Sequence, residues 1–565
     1  MSNLLISVAK GELPADLLLT NARVVNVFSG EIESGNVAIC GDRIAGVGDY
    51  HQAKQVLDLE GKYLAPGLID GHVHLESSML DVGQYARAVV PRGTLGLITD
   101  LHEIANVCGL EGIRYVMNCA RRLPLELFLM APSCVPATHL ETSGAILGPQ
   151  DIRQILRWNG CIGLGEVMNF PGVLGADDAV LSKIKLAKGK IVDGHAPGVA
   201  GNNLNAYIAA GIHSDHESVS LGEAEEKLRR GMSIMIREGS SEKNLDTLLP
   251  LVTDKTYGRC FFVVDDRSCV DLLNDGDIDA VVRKAISRGL DPVRAIQMAT
   301  INTANYFRLD NLGAVAPGYL ANLIVIDDLP RLQIGMVLYR GSLVARDGKP
   351  LFPSYQPGGK SLTDTVHIKP VDIESFRLLA SGDTEPVIEI VPGQIITKKR
   401  IERVKIDGGI VVPDVDGDIL KLVVVERHQA TGNIGVGLVK GFGLKKGALA
   451  SSITHDSHNI IAVGVDDEDI LTAVKEVEKL GGGLVIAVGG KVLASLPLPI
   501  AGLLSDKPLE VVVAGLEKLE KLAKELGTKL PSPFSTLSFL ALPVIPELRL
   551  TDLGLVDVLQ FRLIR

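Results

Sequence analysis

Between residues 64 and 310, short apolar runs and helix-compatible segments alternate eight times, and this pattern narrows the fold of the 565-residue chain more than any other. The runs are LAPGLIDGHVH, GLITDLH, LELFLMAPSCV, CIGLGEV, KIVDGHAP, GIHSDH, SIMIREG and FFVVDD. Segments such as GQYARAVVPRG, EGIRYVMNCARR, LGEAEEKLRRG and NLDTLLPLV lie between most of them. Parallel strands need a crossover between them, usually a helix, so repeated strand–helix units predict a closed (β/α)8 TIM-like barrel in an α/β chain. In such a barrel the loops converge at the C-terminal ends of the strands, where sites are built.

The flanking regions have a different texture. Residues 16–64 and the stretch from Gly313 through LANLIVIDDL and VLYRGSLVARDG read as short strands broken by Gly, Asn and Asp. Two strand groups of like character, far apart in sequence, predict one composite β-sandwich domain from residues 1–63 and 311–360, with the barrel at 64–310 between them. A Pro/Gly/Ser-rich stretch, Pro350–Ser361, precedes a third region of mixed α+β character at 365–565. There Ile470, Ala473, Val474, Val477 and Leu480 follow helical spacing, as do Val512, Leu516, Leu519, Ala523 and Leu526. Gly481-Gly482-Gly483 lacks a following Gly-Lys-Ser/Thr and reads as a turn, not a phosphate loop.

The net charge of -11, with no Lys/Arg run to offset it, argues against a nucleic acid polymer or an anionic membrane as partner. No secretory signal or membrane-length apolar run is evident. The seven Cys are scattered without C-x-x-C, which predicts reduced thiols, no thiolate zinc site and a cytoplasmic protein.

The chemistry concentrates at strand ends. His72 and His74 are one residue apart, so on a strand both imidazoles face the same way. His195 ends the fifth run, His216 the sixth and Asp265 the eighth. Four His and one Asp in that register are the donor set of a metal site.

This arrangement resembles the amidohydrolase superfamily, in which a strand-four group, often a carboxylated lysine, bridges two cations. Here GLGEV places Glu166 at that position, and a carboxylate has the charge and the two oxygens to bridge unmodified. Finer motifs resemble the adenine deaminase family over nearly the whole chain: DLHEIAN, APSCVPAT, EVMNFPGV, DGHAPG, SDHES, IREGS, VDDR and, beyond the barrel, GFGLKKGALASSITHDSHNI and LPLPIAGLLSD. Leu101 departs from the resemblance, which leads us to expect proline before His102.

The resemblance implies hydrolysis of adenine to hypoxanthine and ammonia, as in purine salvage, with two divalent cations held by His72, His74, Glu166, His195, His216 and Asp265. Imidazole and carboxylate ligands suit Mn2+, Fe2+ or Zn2+, and the resemblance favours manganese or iron over zinc. Asp265 is expected to accept the proton of the attacking water and pass it towards the leaving amine. Glu217 is a candidate to protonate the ring, with Glu103 and Glu238 competing. His102, Glu103, Met168, Asn169, Arg237, Glu238 and Asp266 are expected around the base. His455, Asp456, His458 and Asn459 read equally as a metal or lid element and as a buried hydrogen-bond network. The resemblance further implies a homo-oligomer. A cyclic amide hydrolase of the dihydroorotase or hydantoinase type, or a non-catalytic barrel scaffold, are the competing readings.

Overall fold

A computed structural model describes residues 2–353, 355 and 362–564, so part of the expected linker, 354 and 356–361, lies outside the described residues. The eight runs form eight barrel strands: β1 Leu68–Asp70, continued by Val73–His74; β2 Thr94–Thr99; β3 Glu126–Ala131; β4 Cys161–Val167; β5 Ile191–Gly194; β6 Ser214–Asp215; β7 Ser233–Arg237; and β8 Cys260–Val263, continued by Asp265–Asp266. Parallel ladders run from β1 through β5 and from β6 through β8. The His213 amide donates to the Val192 carbonyl at 3.0 Å, bridging β5 to β6. Asp265–Asp266 pairs with Val73–His74 and closes the ring. β2 and β7 are buried along their whole length, as strands covered on both faces must be.

The composite domain differs from the two facing sheets of a sandwich. Its strands form a single hydrogen-bonded array of nine, in which Tyr63–Pro66 pairs with Ala15–Val25 on one side and Leu323–Asp328 on the other. Tyr63–Pro66 thus belongs to this sheet although all of it but Tyr63 lies inside the expected barrel boundary. A helix, Ser2–Ala9, precedes the sheet; its SNLLISVA sequence carried no strand or turn signal to mark it.

The third region is built on an eight-stranded sheet. Helix Asp467–Leu480 lies against it, with Ile470, Ala473, Val474 and Val477 fully buried, the Asp466 side chain capping the first turn and Gly481 ending the last at φ 70°. Among the described residues, no helix is long and apolar enough to cross a membrane.

Candidate active site

His72 and His74 emerge from β1 on one face while Val73 between them packs away from it, fully buried. Their Nε2 atoms stand 3.1 Å apart. Pairing of β8 with β1 brings in Asp265, whose Oδ1 lies 3.3 Å from His72 Nε2 and 3.1 Å from His74 Nε2. Asp265 adopts φ 63°, a left-handed conformation that aspartate tolerates better than most residues.

Glu166, at the end of β4, spans the two halves of the cluster. Its Oε1 is 3.4 Å from His74 Nε2, and its Oε2 is 2.8 Å from His195 Nδ1 and 3.2 Å from His216 Nε2. Gly165 lets the neighbouring strand approach, because a Cβ there would stand 2.6 Å from the Asp100 Cβ. Burial alone would raise the Glu166 carboxyl; the surrounding imidazoles outweigh it and hold the group well below its ordinary value. The same balance works in reverse at His216, where burial lowers the imidazole but Glu166 raises it to about 9.

The donor atoms fall into overlapping groups, each within 4.8 Å: His72, His216 and Asp265; Glu166, His195 and His216; His74, Asp100, His102 and Glu166; and His102, Glu103 and Asp456. Imidazole nitrogens 3.1 Å apart repel if both are protonated, and buried carboxylates need counter-charge. This set of nitrogen and oxygen donors fits divalent cations.

Arg237, at the end of β7, orients two of the carboxylates. Its guanidinium bonds both oxygens of Glu217, and its Nη1 donates to Asp265 Oδ2 at 2.8 Å. Burial would raise the Glu217 carboxyl, but Arg237 holds it below its ordinary value, and the guanidinium engages both of its oxygens.

A second layer joins the barrel to the third region. Asp100, which directly follows β2, accepts from His102 Nδ1 at 3.0 Å and lies 3.5 Å from His74 Nδ1. Sequence reasoning gave Asp100 no role, although its strand-end position was the available signal. Glu103, 3.4 Å from His102 Nε2, accepts from His455 Nδ1 at 2.7 Å and from His458 Nε2. The His455 ring stacks on Phe539 with centroids 4.5 Å apart. The HDSHN segment therefore closes over the barrel mouth through a hydrogen-bond network.

Four further residues expected around the base meet different neighbours. Glu238 follows Arg237 by one residue and so faces the opposite way; its oxygens accept from Lys284 Nζ at 2.6 Å and the Leu245 amide at 3.1 Å, leaving it out of the cluster. Asn169 caps helix Phe170–Leu174 by accepting from the Gly172 amide at 2.9 Å. Met168 is buried beside it, and among the described residues no hydrogen bond or ion pair links either side chain to the cluster. Asp266 accepts from Ser77 Oγ and faces a cavity of about 560 Å³ between barrel and third region, which is also lined by Ser240, His455, Phe539 and Arg549.

Imidazoles from β1, β5 and β6 and carboxylates from β4 and β8, gathered at the C-terminal mouth of a (β/α)8 barrel, define an amidohydrolase, and residues 63–347 match the amidohydrolase family model. Residues 394–562 match the adenine deaminase C-terminal domain. The chain is 63% identical over 560 residues to an adenine deaminase of Dehalococcoides mccartyi, covering 99% of this chain and 98% of the relative. It is 50% identical over 561 residues to adenine deaminase 2 of Carboxydothermus hydrogenoformans, with the same 99% and 98% coverage. The chain belongs to the adenine deaminase family. Among solved structures it is similar to the L-hydantoinase of Arthrobacter aurescens, at 14% identity and TM-score 0.45, over 60% of this chain and 98% of that one.

Proposed function

We infer that this protein hydrolyses adenine to hypoxanthine and ammonia, with two divalent cations, manganese or iron ahead of zinc, held in the donor cluster. The observation that carries the reading is Glu166, whose two oxygens address separate sets of imidazoles in a chain that has the adenine deaminase C-terminal domain. His72, His74 and Asp265 on one side and His195 and His216 on the other would hold the cations, with Glu166 shared. When bound, such cations supply Lewis acidity and bring the ionisation of water close to neutral pH.

The chain's own groups then handle position and protons. Overall, water adds oxygen to C6, the C6–N bond breaks, and the two water protons end on the departing ammonia and on ring N1. Asp265 Oδ1 is the carboxylate oxygen turned to the reacting region, so it takes the water proton and returns it to the amine. Arg237 fixes Asp265 through Oδ2, and Glu217 in turn fixes Arg237. The donor cluster is buried, which limits the access of bulk water to the reacting atoms.

The test is a substrate panel. Metal-replete protein incubated with adenine, adenosine, guanine, cytosine and dihydroorotate should release ammonia from adenine, with adenosine poor or inert. Faster turnover of adenosine would displace the free base as substrate. Reaction of dihydroorotate alone would replace deamination with cyclic amide hydrolysis.

A further inference from the structure

We propose that Asp456, contributed by the C-terminal domain, reads the imidazole-ring N–H of the purine and so confines the enzyme to the free base. This rests on the deaminase reading above and adds to it a residue that sets specificity.

Asp456 is 2% exposed, and its Oδ2 is buried without a hydrogen-bond partner. A buried acceptor left in this state costs on the order of 1–3 kcal/mol, more when charged, unless something completes it. The atom does not face inert core. It stands 3.9 Å from His102 Nε2, beyond hydrogen-bond reach, while His102 Nδ1 on the other side of the same ring is 3.7 Å from Glu166 Oε1. One imidazole therefore separates Asp456 from the carboxylate that unites the metal cluster. The residue before it, His455, lines the interdomain cavity of about 560 Å³, a size ordinary for a small-molecule site.

The other acidic groups near His102 are already engaged. Glu103 accepts from His455 and His458 on its two oxygens, and Asp100 accepts from His102 Nδ1. Nearer the cluster, Glu217 is bound by Arg237 and Asp265 shares that guanidinium. Asp456 keeps a free oxygen, as Glu76 and Glu141 do, and of the three it is the one placed against His102. Its neighbours also hold it in place: His455 is stacked on Phe539 and bonded to Glu103, and the His458 amide donates to the Thr454 carbonyl at 2.6 Å. The acceptor is fixed before any ligand arrives, so little ordering is needed on binding.

A carboxylate oxygen only accepts, so it selects a ligand N–H. Free adenine carries one such proton on its imidazole ring, at N7 or N9 depending on tautomer. Substitution at N9 removes it in either form, which leaves the buried oxygen unsatisfied. Sites built to bond a substrate N–H or O–H reject analogues that lack it by about 10⁴–10⁵-fold. Nucleosides are then excluded by a missing donor as well as by bulk, and 9-methyladenine isolates the donor with little added volume.

The experiment compares kcat/KM for adenine and 9-methyladenine in the wild type, Asp456→Asn and Asp456→Ala, with metal content and circular dichroism recorded for each. The wild type should prefer adenine by about 10⁴-fold, as expected for a lost buried donor. Both variants should keep two ions per chain, and Asp456→Ala should lose adenine kcat/KM mainly through KM and show a preference at least tenfold smaller. Asp456→Asn keeps the shape and an amide oxygen, so Asp456→Ala is the variant that deletes the acceptor, and Asp456→Leu, similar in size and without a polar atom, takes its place if Asp456→Ala fails to fold. An unchanged preference in a folded Asp456→Ala or Asp456→Leu protein would overturn the proposal. So would a third ion in the wild type that Asp456→Asn loses, since Asp456 would then be a ligand. Absence of ammonia from adenine in the wild type would instead defeat the deaminase reading itself.

Discussion

Asp265 divides its two oxygens between tasks, with Oδ1 towards His72 and His74 and Oδ2 on Arg237. Asp265→Asn can keep an oxygen ligand and the fold, but an amide cannot carry the proton, so turnover should fall by about 10²–10⁴. Steady-state assay of metal-replete variant checks this, and wild-type turnover would remove Asp265 from proton transfer. Glu166→Ala deletes the group shared by both halves of the cluster, and elemental analysis should find fewer than two ions per chain. Asp265 stood out by its strand-end position, and Glu166 only through the resemblance to a family whose strand-four group bridges two cations. Motif proximity ignores alternation, which turns Glu238 towards Lys284 when Arg237 faces inward. Leu101 has φ 56°, which a proline ring held near about −65° cannot adopt, so proline is excluded from this backbone.

Among the elements, helix Leu221–Arg229 does more than cover the barrel. Its fully buried Lys227 donates at 2.8 Å to the Ala196 carbonyl, to Asp215 Oδ2 and to Glu223 Oε1. Asp215 Oδ1 also accepts from the Ala196 amide at 3.0 Å. Ala196 follows His195 and Asp215 precedes His216, so one lysine ties together the two turns that present those imidazoles. Lys227→Met should destabilise the fold by about 3–5 kcal/mol, because it strands a buried carboxylate. Urea denaturation reads the loss; an unchanged midpoint would show that the turns hold themselves. The eight strands were legible as apolar runs between turn signals, but β6 was not legible as only two residues long, nor Tyr63–Pro66 as part of the outer sheet. Ladder partners are long-range contacts, and local pattern does not encode them.

For the whole molecule, the third region completes the barrel mouth. Glu103 meets His455 and His458 across more than 350 positions of chain, as the separations of 352 and 355 residues record. HDSHN stood out as a motif, yet nothing local could name its partner. The site is therefore shared between the domain that carries the donor cluster and the domain that closes over it. The most direct measurement is to strip the metal and add Mn2+ back in steps while following ammonia released from adenine. Activity should be absent without metal and should rise to a plateau at two ions per chain. Full turnover by the metal-free protein, or a plateau reached at one ion, would contradict the shared two-cation site.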